Sequence, residues 1–241
     1  MIKNITLIIL ELFDYFHKRK IFAFLVNSKL TNFKTVFDIG AHKGETIKSF
    51  TKFLKIEKIY SFEASPLSYN KLKNTLPKII SNRKETEICI ENLALGSEIR
   101  KIQIKHLKES SSSTIKDINS NSKYFKKKKK LLGFNTENFY KNISVNQTTI
   151  DKYVKTKKIE KIDLLKIDTE GYEYEVLRGA SDSFKNIKII LFEHHYDDMI
   201  NKGYKFSDIH NILNKNNFKQ IFKIKMPFRK TFEYIYLNKS Y

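Results

Sequence analysis

The sequence is poor in cysteine, tryptophan, proline and glycine, of which its 241 residues include one, none, three and seven. The single cysteine, Cys89, excludes an internal disulfide and a zinc site made of several cysteines. A membrane-spanning helix needs roughly 20 apolar residues in a row, and the longest candidate run, residues 5–10, is far shorter. The sequence also contains no apolar segment followed by a secretory cleavage site, so we expect a cytoplasmic protein.

Negative charge is scarce as well, because 46 Lys and Arg residues outnumber 26 Asp and Glu residues and give a net charge of +20. A polyanionic partner would explain this excess: a nucleic acid, an anionic lipid or a phosphorylated substrate. Compositional drift would explain it too, and we favour that interpretation because Lys, Asn and Ile are abundant along the whole chain. Hydrophobic residues make up 41% of the sequence, which is enough to bury a core.

Residues 1–33 are predicted to form an N-terminal helical extension. Its apolar residues recur at spacings of three and four, which places them along one helix face. These residues are Ile5, Ile8, Ile9, Leu12, Phe13 and Phe16. A basic cluster follows at residues 17–20. One interpretation is a helix packed on the main domain, and the other is a helix that contacts a membrane surface or a second copy.

Short strands and helices alternate over residues 34–241, which is typical of an α/β domain with a mostly parallel central sheet. Buried strands are predicted at 36–39, 58–62, 87–90, 162–167 and 187–192, and a half-exposed strand at 99–106. Helices are predicted at 46–54, 68–76, 149–154, 172–178 and 206–214. Two final strands, 218–224 and 232–237, are predicted to form a C-terminal antiparallel pair.

Residues 109–142 interrupt this alternation with a polar segment that has no clear period. It contains a serine run at 110–113 and a lysine run at 126–130. A segment of this length is longer than ordinary connections, so we predict a polar insertion that acts as a lid or substrate loop. The lysine run is interpreted as a solvated face, with an anion-binding patch as the alternative.

A nucleotide-binding site is predicted at the end of the first strand of this domain. There the turn runs from Gly40 through Ala41 and His42 to Gly44. Glycine at the turn lets the backbone bend sharply and approach a ligand without a Cβ in the way. Glu63 follows 23 residues after Gly40, at the end of the second strand. An acid about 20 residues beyond a glycine turn accepts hydrogen bonds from ribose hydroxyls.

The residues around this turn favour S-adenosylmethionine over a dinucleotide. Dinucleotide sites carry G-x-G-x-x-G, whereas the spacing here is Gly40-x-x-x-Gly44 with Asp38 at the strand tip. A carboxylate at that point repels pyrophosphate but suits the ammonium and sulfonium groups of S-adenosylmethionine. Asn92 and Leu93 follow the third strand and are predicted to border the adenine.

The sequence resembles the FkbM-type methyltransferases over residues 35–195, roughly two-thirds of the chain. The matching blocks are VFDIGAHKG at 36–44, FEASP at 62–66, NLALG at 92–96, IDLLKIDTEG at 162–171 and VLRGA at 176–180. The resemblance implies a Rossmann-like methyltransferase fold and S-adenosylmethionine-dependent O-methylation, often of sugars or secondary metabolites. Two departures are His42, where the family usually has Asn, and Ala64-Ser65, where Pro often follows the Glu.

Candidate catalytic residues lie at the ends of the two strands predicted at 162–167 and 187–192. Lys166, Asp168 and Glu170 share one side if the first strand stays extended, and the second strand is followed by Glu193, His194 and His195. In one mechanism, Asp168, Glu170 or His194 removes a proton from a substrate hydroxyl. In the other, Asp168, Glu193 and His194 bind Mg²⁺ or Mn²⁺, which lowers the pKa of the hydroxyl. His195 is interpreted as a loop residue.

The leading hypothesis is therefore an O-methyltransferase that acts on a sugar, a glycan precursor or another small molecule, as in polysaccharide biosynthesis. An RNA methyltransferase is the alternative that the positive charge suggests. Aromatic residues do not interleave with the lysines as an RNA-stacking surface requires, so a nucleic-acid partner is not expected. A non-catalytic scaffold that binds a nucleotide or associates with a membrane is the remaining alternative.

Overall fold

The computed structural model describes residues 2–81, 85–107, 113–123, 125–126 and 140–241. In chain order the strands are β1 (Asn32–Ile39), β2 (Lys55–Phe62), β3 (Glu87–Glu91), β4 (Ala94–Leu95), β5 (Arg100–Leu107), β6 (Ser113–Thr114), β7 (Asp117–Ile118), β8 (Tyr140–Thr148), β9 (Ile162–Ile167), β10 (Ile187–His195), β11 (Ile200–Asn201), β12 (Phe218–Lys225) and β13 (Thr231–Asn238). The helices are α1 (Ile2–Asn27), α2 (Glu45–Phe53), α3 (Pro66–Ile80), α4 (Ile150–Lys157), α5 (Glu173–Arg178) and α6 (Phe206–Lys215).

The central sheet has seven strands in the order β12-β13-β10-β9-β1-β2-β3. The pairs from β10 through β9, β1 and β2 to β3 are parallel, and β13 is antiparallel to both of its neighbours. The predicted α/β class, the mostly parallel sheet and the C-terminal antiparallel pair are confirmed. The order of the strands reverses between β1 and β9, and in open α/β sheets the ligand crevice lies at that point, beyond the carboxyl ends of the strands.

The two faces of the sheet are covered by different helices, because alternate residues of each strand point to opposite faces. On one face Val36, Leu164 and Ile189 pack in a core cluster with residues of α1, α2 and α3. On the other face the neighbouring residues Phe37 and Leu165 pack with residues of α4, α5 and α6. All six residues of β9 are buried, as is typical of a parallel strand covered on both faces.

Helix α1 packs against the sheet through its second half. Ile21, Phe22 and Leu25 are buried in the same core cluster as β1, β2 and β10. Phe13 and Phe16, which belong to the apolar stripe seen in the sequence, are exposed to solvent instead. Over the residues that the structure describes, no helix combines the length and the apolar character needed to cross a bilayer.

A second sheet, β4-β8-β5-β6, lies beside the central one, and β7 pairs with β11. The half-exposed strand predicted at 99–106 is β5, whereas β8 was not expected and begins inside the segment 109–142 that we assigned to an insertion. Residues 110–112 of the serine run and 127–130 of the lysine run lie outside the described residues. The described part, residues 113–123, 125–126 and 140–142, contains β6, β7 and the start of β8. Its role as a lid stays a prediction.

Candidate functional site

A pocket of about 180 Å³ lies at the carboxyl ends of β1, β2 and β9, where the strand order reverses. Six residues that the sequence singled out line it: Gly40, His42, Glu63, Leu93, Asp168 and Glu170. The other lining residues are Ile39, Phe62, Ala64, Ala94, Leu95, Ile104, Thr114, Ile115 and Thr169. A wider depression of about 1650 Å³ lies at the opposite, amino ends of β1 and β2. We place the candidate site in the smaller pocket, because ligands of open α/β sheets bind at the carboxyl ends.

Gly40 brings the end of β1 against the end of β9. Its φ is 85°, and a Cβ added there would lie 1.8 Å from the backbone oxygen of Asp168. The glycine is therefore required by the close approach of two backbone segments, which goes beyond the ligand approach that the sequence suggested. Gly44, with φ 92°, lets α2 and α3 pack closely, since a Cβ there would lie within 2.9 Å of the side chains of Ile79 and Leu72.

Glu63 is held rigidly at the wall of the pocket. Its Oε2 accepts a hydrogen bond from the backbone N–H of His42 at 2.8 Å, and its Oε1 accepts one from the backbone N–H of Ser65 at 2.9 Å. Each carboxylate oxygen can still accept a second hydrogen bond. Burial raises the pKa of Glu63, and the two backbone hydrogen bonds oppose that rise. The group can thus receive hydroxyl hydrogens without having to be ordered first.

His42 adopts a left-handed backbone conformation, with φ 52°. Asn, Asp and His are the residues besides glycine that enter this region most readily, which explains how His replaces the Asn that the resemblance implies at this position. Its side-chain Nδ1 lies 3.1 Å from Oε1 of Glu45, at the start of α2. This contact joins the turn to the first residue of α2.

Asp38 does not line the pocket, which differs from the expectation that its carboxylate faces the cofactor. The side chain is fully buried, and its Oδ1 lies 3.2 Å from Nζ of Lys166 on the adjacent strand. Burial raises the pKa of Asp38, and the Lys166 ammonium opposes the rise. Burial likewise opposes the charge of Lys166, but the carboxylates of Asp38 and Asp168 raise its pKa above the ordinary value. The physical reason for the difference is this ion pair, which holds the carboxylate of Asp38 in the interior.

Asn92, Ala41 and Gly44 also lie outside the pocket lining. The side-chain amide of Asn92 donates hydrogen bonds to the backbone oxygens of Glu63 at 2.8 Å and Ala64 at 3.1 Å. Asn92 therefore fixes the segment that carries Glu63. Leu93, next in the chain, does line the pocket.

The segment after β9 carries Asp168 and Glu170 into the pocket and is braced by Glu173. Oε1 of Glu173 accepts hydrogen bonds from the backbone N–H of Thr169 at 3.1 Å and of Gly171 at 3.0 Å. This bracing supports the left-handed conformations of Glu170, with φ 51°, and Gly171, with φ 95°. Sequence reasoning missed Glu173, although its place as an acid in the first turn of the helix that follows the Asp-Thr-Glu-Gly block was a usable signal.

Asp168 stays ionised at the edge of this pocket. Its Oδ2 lies 3.4 Å from Nζ of Lys166, and its side chain is 36% exposed. Burial opposes the charge, but the Lys166 and His195 cations hold the pKa of Asp168 below its usual range. Lys166, Asp168 and Glu170, which the sequence grouped as catalytic candidates, therefore follow one another at this edge, with Lys166 beneath the pocket wall.

His194 and His195 lie on opposite faces of the sheet because both belong to β10 and side chains alternate along a strand. His194 is buried against the rings of Tyr196, Tyr204 and Phe206, and burial lowers its pKa to about 4. This position separates it from the carboxylates with which the sequence grouped it as a base and as a metal ligand. The physical reason is that β10 extends three residues beyond the predicted end at Phe192.

His195, and not His194, lies among the carboxylates with which the sequence analysis grouped His194. Its Nε2 lies 2.9 Å from Oε1 of Glu193 and 3.5 Å from Oε2 of Glu170, and its Nδ1 lies 3.8 Å from Oδ2 of Asp197. Burial alone would lower the pKa of His195, but these carboxylates raise it well above its ordinary value. Burial and the nearby Asp168 carboxylate raise the pKa of Glu193 to about 7. His195 was interpreted as a loop residue, and strand alternation was the signal that could have identified it.

A metal site of Asp168, Glu193 and His194 is not supported. Within the described ranges, no group of three or more His, Cys, Asp or Glu side chains is arranged to hold a metal ion. His194 is directed into its aromatic cluster, whereas Glu193 pairs with His195.

Comparisons with known proteins agree with this architecture. A solved methyltransferase FkbM from Methylobacillus flagellatus KT superposes with a TM-score of 0.56 at 14% identity, over 85% of this chain and 43% of that one. The chain thus spans less than half of that protein. Magnesium protoporphyrin IX methyltransferase (ChlM) from Synechocystis PCC 6803, solved with bound SAM, has a TM-score of 0.56 at 10% identity, over 95% of this chain and 81% of that one.

At these identities the two superpositions show the fold alone, which is the Rossmann-like methyltransferase fold. A comparison with curated protein sequences finds no match. The sequence profile of the methyltransferase FkbM domain matches residues 38–219, which is most of the chain and includes all the residues that line the candidate site. The chain therefore belongs to the FkbM methyltransferase family.

Proposed function

We propose that the chain is an S-adenosylmethionine-dependent O-methyltransferase that acts on a hydroxyl of a sugar, a glycan precursor or another small molecule. The observation that carries the proposal is the charge of the pocket at the strand ends. Its described lining includes three carboxylates, those of Glu63, Asp168 and Glu170, and neither Lys nor Arg. A dinucleotide or nucleotide phosphate would be repelled there, whereas a ligand with ammonium and sulfonium groups is favoured.

The lining residues fit such a cofactor on both of its ends. Glu63, fixed by two backbone N–H groups, has free lone pairs for ribose hydroxyls. Apolar side chains that include Leu93, Leu95 and Ile104 offer packing for an adenine ring. Asp168 and Glu170 provide negative charge on the β9 side of the same pocket.

The bound cofactor supplies an electrophilic methyl group, and the chain prepares the acceptor hydroxyl. Asp168 is ionised beside Lys166 and accepts a hydrogen bond from a second hydroxyl of the acceptor, which orients the reacting hydroxyl next to it. Glu170 accepts the hydroxyl proton, and His195, whose Nε2 lies 3.5 Å from its Oε2, helps to hold this side chain in position. Holding the acceptor in line is the larger contribution, because well-oriented reactants avoid most of the entropic barrier.

Cofactor binding is tested by thermal unfolding with S-adenosylmethionine, S-adenosylhomocysteine and NAD⁺. A ligand at 100 times its dissociation constant stabilises the fold by about 2.7 kcal/mol, which at this size raises Tm by about 5 to 10 °C. We expect this rise with the two adenosyl-sulfur ligands only, and we expect Glu63→Ala to abolish it. Glu57→Ala is the matched control, because Glu57 is an exposed acid of β2, the strand that directly precedes Glu63. A rise with NAD⁺ alone, or none, would contradict the proposal.

Methyl transfer is tested by release of S-adenosylhomocysteine with a panel of sugars and sugar nucleotides, with bulk RNA as the competing acceptor. We expect Glu170→Gln to lower kcat by about 10²- to 10⁴-fold while the thermal shift with cofactor remains. Activity is expected to persist in EDTA, since proton acceptance here needs no metal. Unchanged turnover in Glu170→Gln would remove it as the proton acceptor, and methylation of RNA alone would favour the RNA methyltransferase alternative.

A further inference from the structure

The outer face of α1 presents aromatic rings to solvent. Tyr15 and Phe16 are 45% and 49% exposed, and Phe13 is 36% exposed. The inner face, which includes Ile21 and Leu25, is buried against the sheet. The buried residues attach α1 to the sheet, whereas Tyr15 and Phe16 stay about half exposed to solvent.

The turn between β12 and β13 extends this aromatic surface. Phe228 is 74% exposed, and its ring lies edge-on to Phe13 with 4.9 Å between ring centroids. Its φ of 60° is a left-handed conformation that bulky residues rarely adopt. The ion pair between Nη2 of Arg229 and Oδ2 of Asp14, at 2.9 Å, joins the turn to the helix. Two separate parts of the chain therefore present aromatic rings on one side of the molecule.

Basic side chains accompany these rings. Lys20 follows Phe16 by four residues, and Arg19 follows Tyr15 by four with its guanidinium 5.9 Å from the centre of the Tyr15 ring. Positions four residues apart share a helix face. Among the acids of this region, Asp14 pairs with Arg229, and Glu233 lies 2.5 Å from His17. The surface therefore presents positive charge around its aromatic rings.

We propose that Phe13, Phe16 and Phe228, with Arg19 and Lys20, form a surface that docks on an anionic lipid bilayer. Aromatic rings partition into the membrane interface, and basic residues beside them are attracted to anionic headgroups. A second copy of the chain fits this surface less well, because a symmetric pair would bring Arg19 and Lys20 against the same charges. The net charge of +20 favours the anionic surface further.

The lipid-docking surface also lies close to the candidate site. His17, on the opposite side of α1, contacts Glu233 of β13, and Glu233 is the register partner of Glu193 on β10. Lys18 lies near enough to Asp38 and Asp168 for its charge to act on both carboxylates. A bilayer at this surface would thus lie beside the carboxyl edge of the sheet, whichever acceptor is methylated.

The test is co-sedimentation of the full chain with vesicles of phosphatidylcholine alone and of phosphatidylcholine mixed with phosphatidylglycerol. We expect binding to the anionic vesicles only, weakening as salt is added. Lys20→Gln should lower the partition coefficient about fivefold, as the loss of one basic residue near a charged membrane does. Phe16→Glu and Phe228→Glu should lower it further, and unchanged thermal unfolding will show that these exposed positions leave the fold intact.

Ile99→Glu is the matched control, because Ile99 is a 64% exposed apolar residue that precedes β5 on the second sheet. It introduces the same charge and should bind vesicles as the unaltered chain does. The proposal would be overturned if the chain bound neutral and anionic vesicles equally. It would also be overturned if Phe228→Glu bound as the unaltered chain does, or if Ile99→Glu lost as much binding as Phe228→Glu. So would absence of vesicle binding, and a dimer in light scattering that Phe228→Glu dissociates would assign the surface to a second copy instead.

Discussion

Replacing Lys166 by Met tests whether the buried ion pair, rather than the cofactor, determines the position of Asp38. Lys166 Nζ lies 3.2 Å from Oδ1 of Asp38, whose side chain is fully buried. Met has a similar length and no charge, so the variant leaves the Asp38 carboxylate uncompensated in the interior. Asp168 also loses its partner, but its side chain is 36% exposed and water can replace the lysine.

Breaking a buried ion pair by removing one partner costs about 3 to 5 kcal/mol. For a chain of this size that lowers Tm by about 6 to 20 °C, at about 2 to 4 °C per kcal/mol. The pH dependence has a definite sign. A carboxyl whose folded-state pKa is raised destabilises the fold only at pH values above its unfolded pKa of about 3.9. The loss of unfolding free energy in Lys166→Met should therefore be complete near neutral pH, and it should shrink as the pH falls towards about 3.9.

Urea unfolding of three chains measures the effect: the unaltered chain, Lys166→Met, and Lys166→Met combined with Asp38→Asn. The double variant removes the buried charge, so it should recover a large part of the stability that Lys166→Met loses. If Lys166→Met is as stable as the unaltered chain at pH 7, or if the double variant is no better than the single one, the ion pair is not what holds Asp38 in the interior.

Two further predictions concern Gly40 and His194. Gly40→Ala should lower the free energy of unfolding by more than about 4 kcal/mol or prevent folding, because its Cβ would lie 1.8 Å from a backbone oxygen. Gly203→Ala is the control and should lower it by only about 1 to 2 kcal/mol, because a Cβ there meets only a side-chain atom at 3.9 Å. Similar losses in the two variants would contradict the close approach of the two backbone segments at Gly40. The free energy of unfolding should decline less in His194→Phe than in the unaltered chain as the pH falls below about 6.5. The reason is that His194 has a pKa of about 4 in the folded chain, so between these values only the unfolded chain gains the proton. Parallel plots of unfolding free energy against pH for the two chains would show that His194 is not buried in its neutral form.

The central sheet could be predicted because its strands are continuous apolar runs. The bounds of β9, Ile162–Ile167, were predicted to the residue, and the antiparallel pair of β12 and β13 was found within two residues at each end. By contrast, β8 was missed, because the sequence Tyr140–Thr148 is largely polar. It pairs with β4 and β5 and not with the central sheet, and only two alternate residues, Ile143 and Val145, pack in a core cluster. A strand is visible in a sequence when it has a continuous apolar run or a regular apolar alternation, and β8 has too few apolar residues for either.

The glycine turn and Glu63 could be predicted as neighbours, whereas the partners of Asp38 could not. Spacing along the chain places strand ends at one edge of a sheet, and that was sufficient to bring Gly40, Glu63 and Asp168 to one pocket. The spacing along the chain does not show which of these side chains form ion pairs or hydrogen bonds with each other. Asp38 and Lys166 are register partners on adjacent strands, and this pairing depends on strand order, which the sequence does not state.

The assignment of the histidines shows how much depends on where a strand ends. The predicted strand stopped at residue 192, which left Glu193, His194 and His195 in a loop where any of them could turn towards Asp168. Pairing with β13 continues through His195, because polar residues complete the ladder of backbone hydrogen bonds as well as apolar ones do. Once the strand continues, alternation fixes His194 on the aromatic face and His195 beside Glu170 and Glu193. A difference of three residues in one boundary therefore decides which imidazole stands beside the proposed proton acceptor.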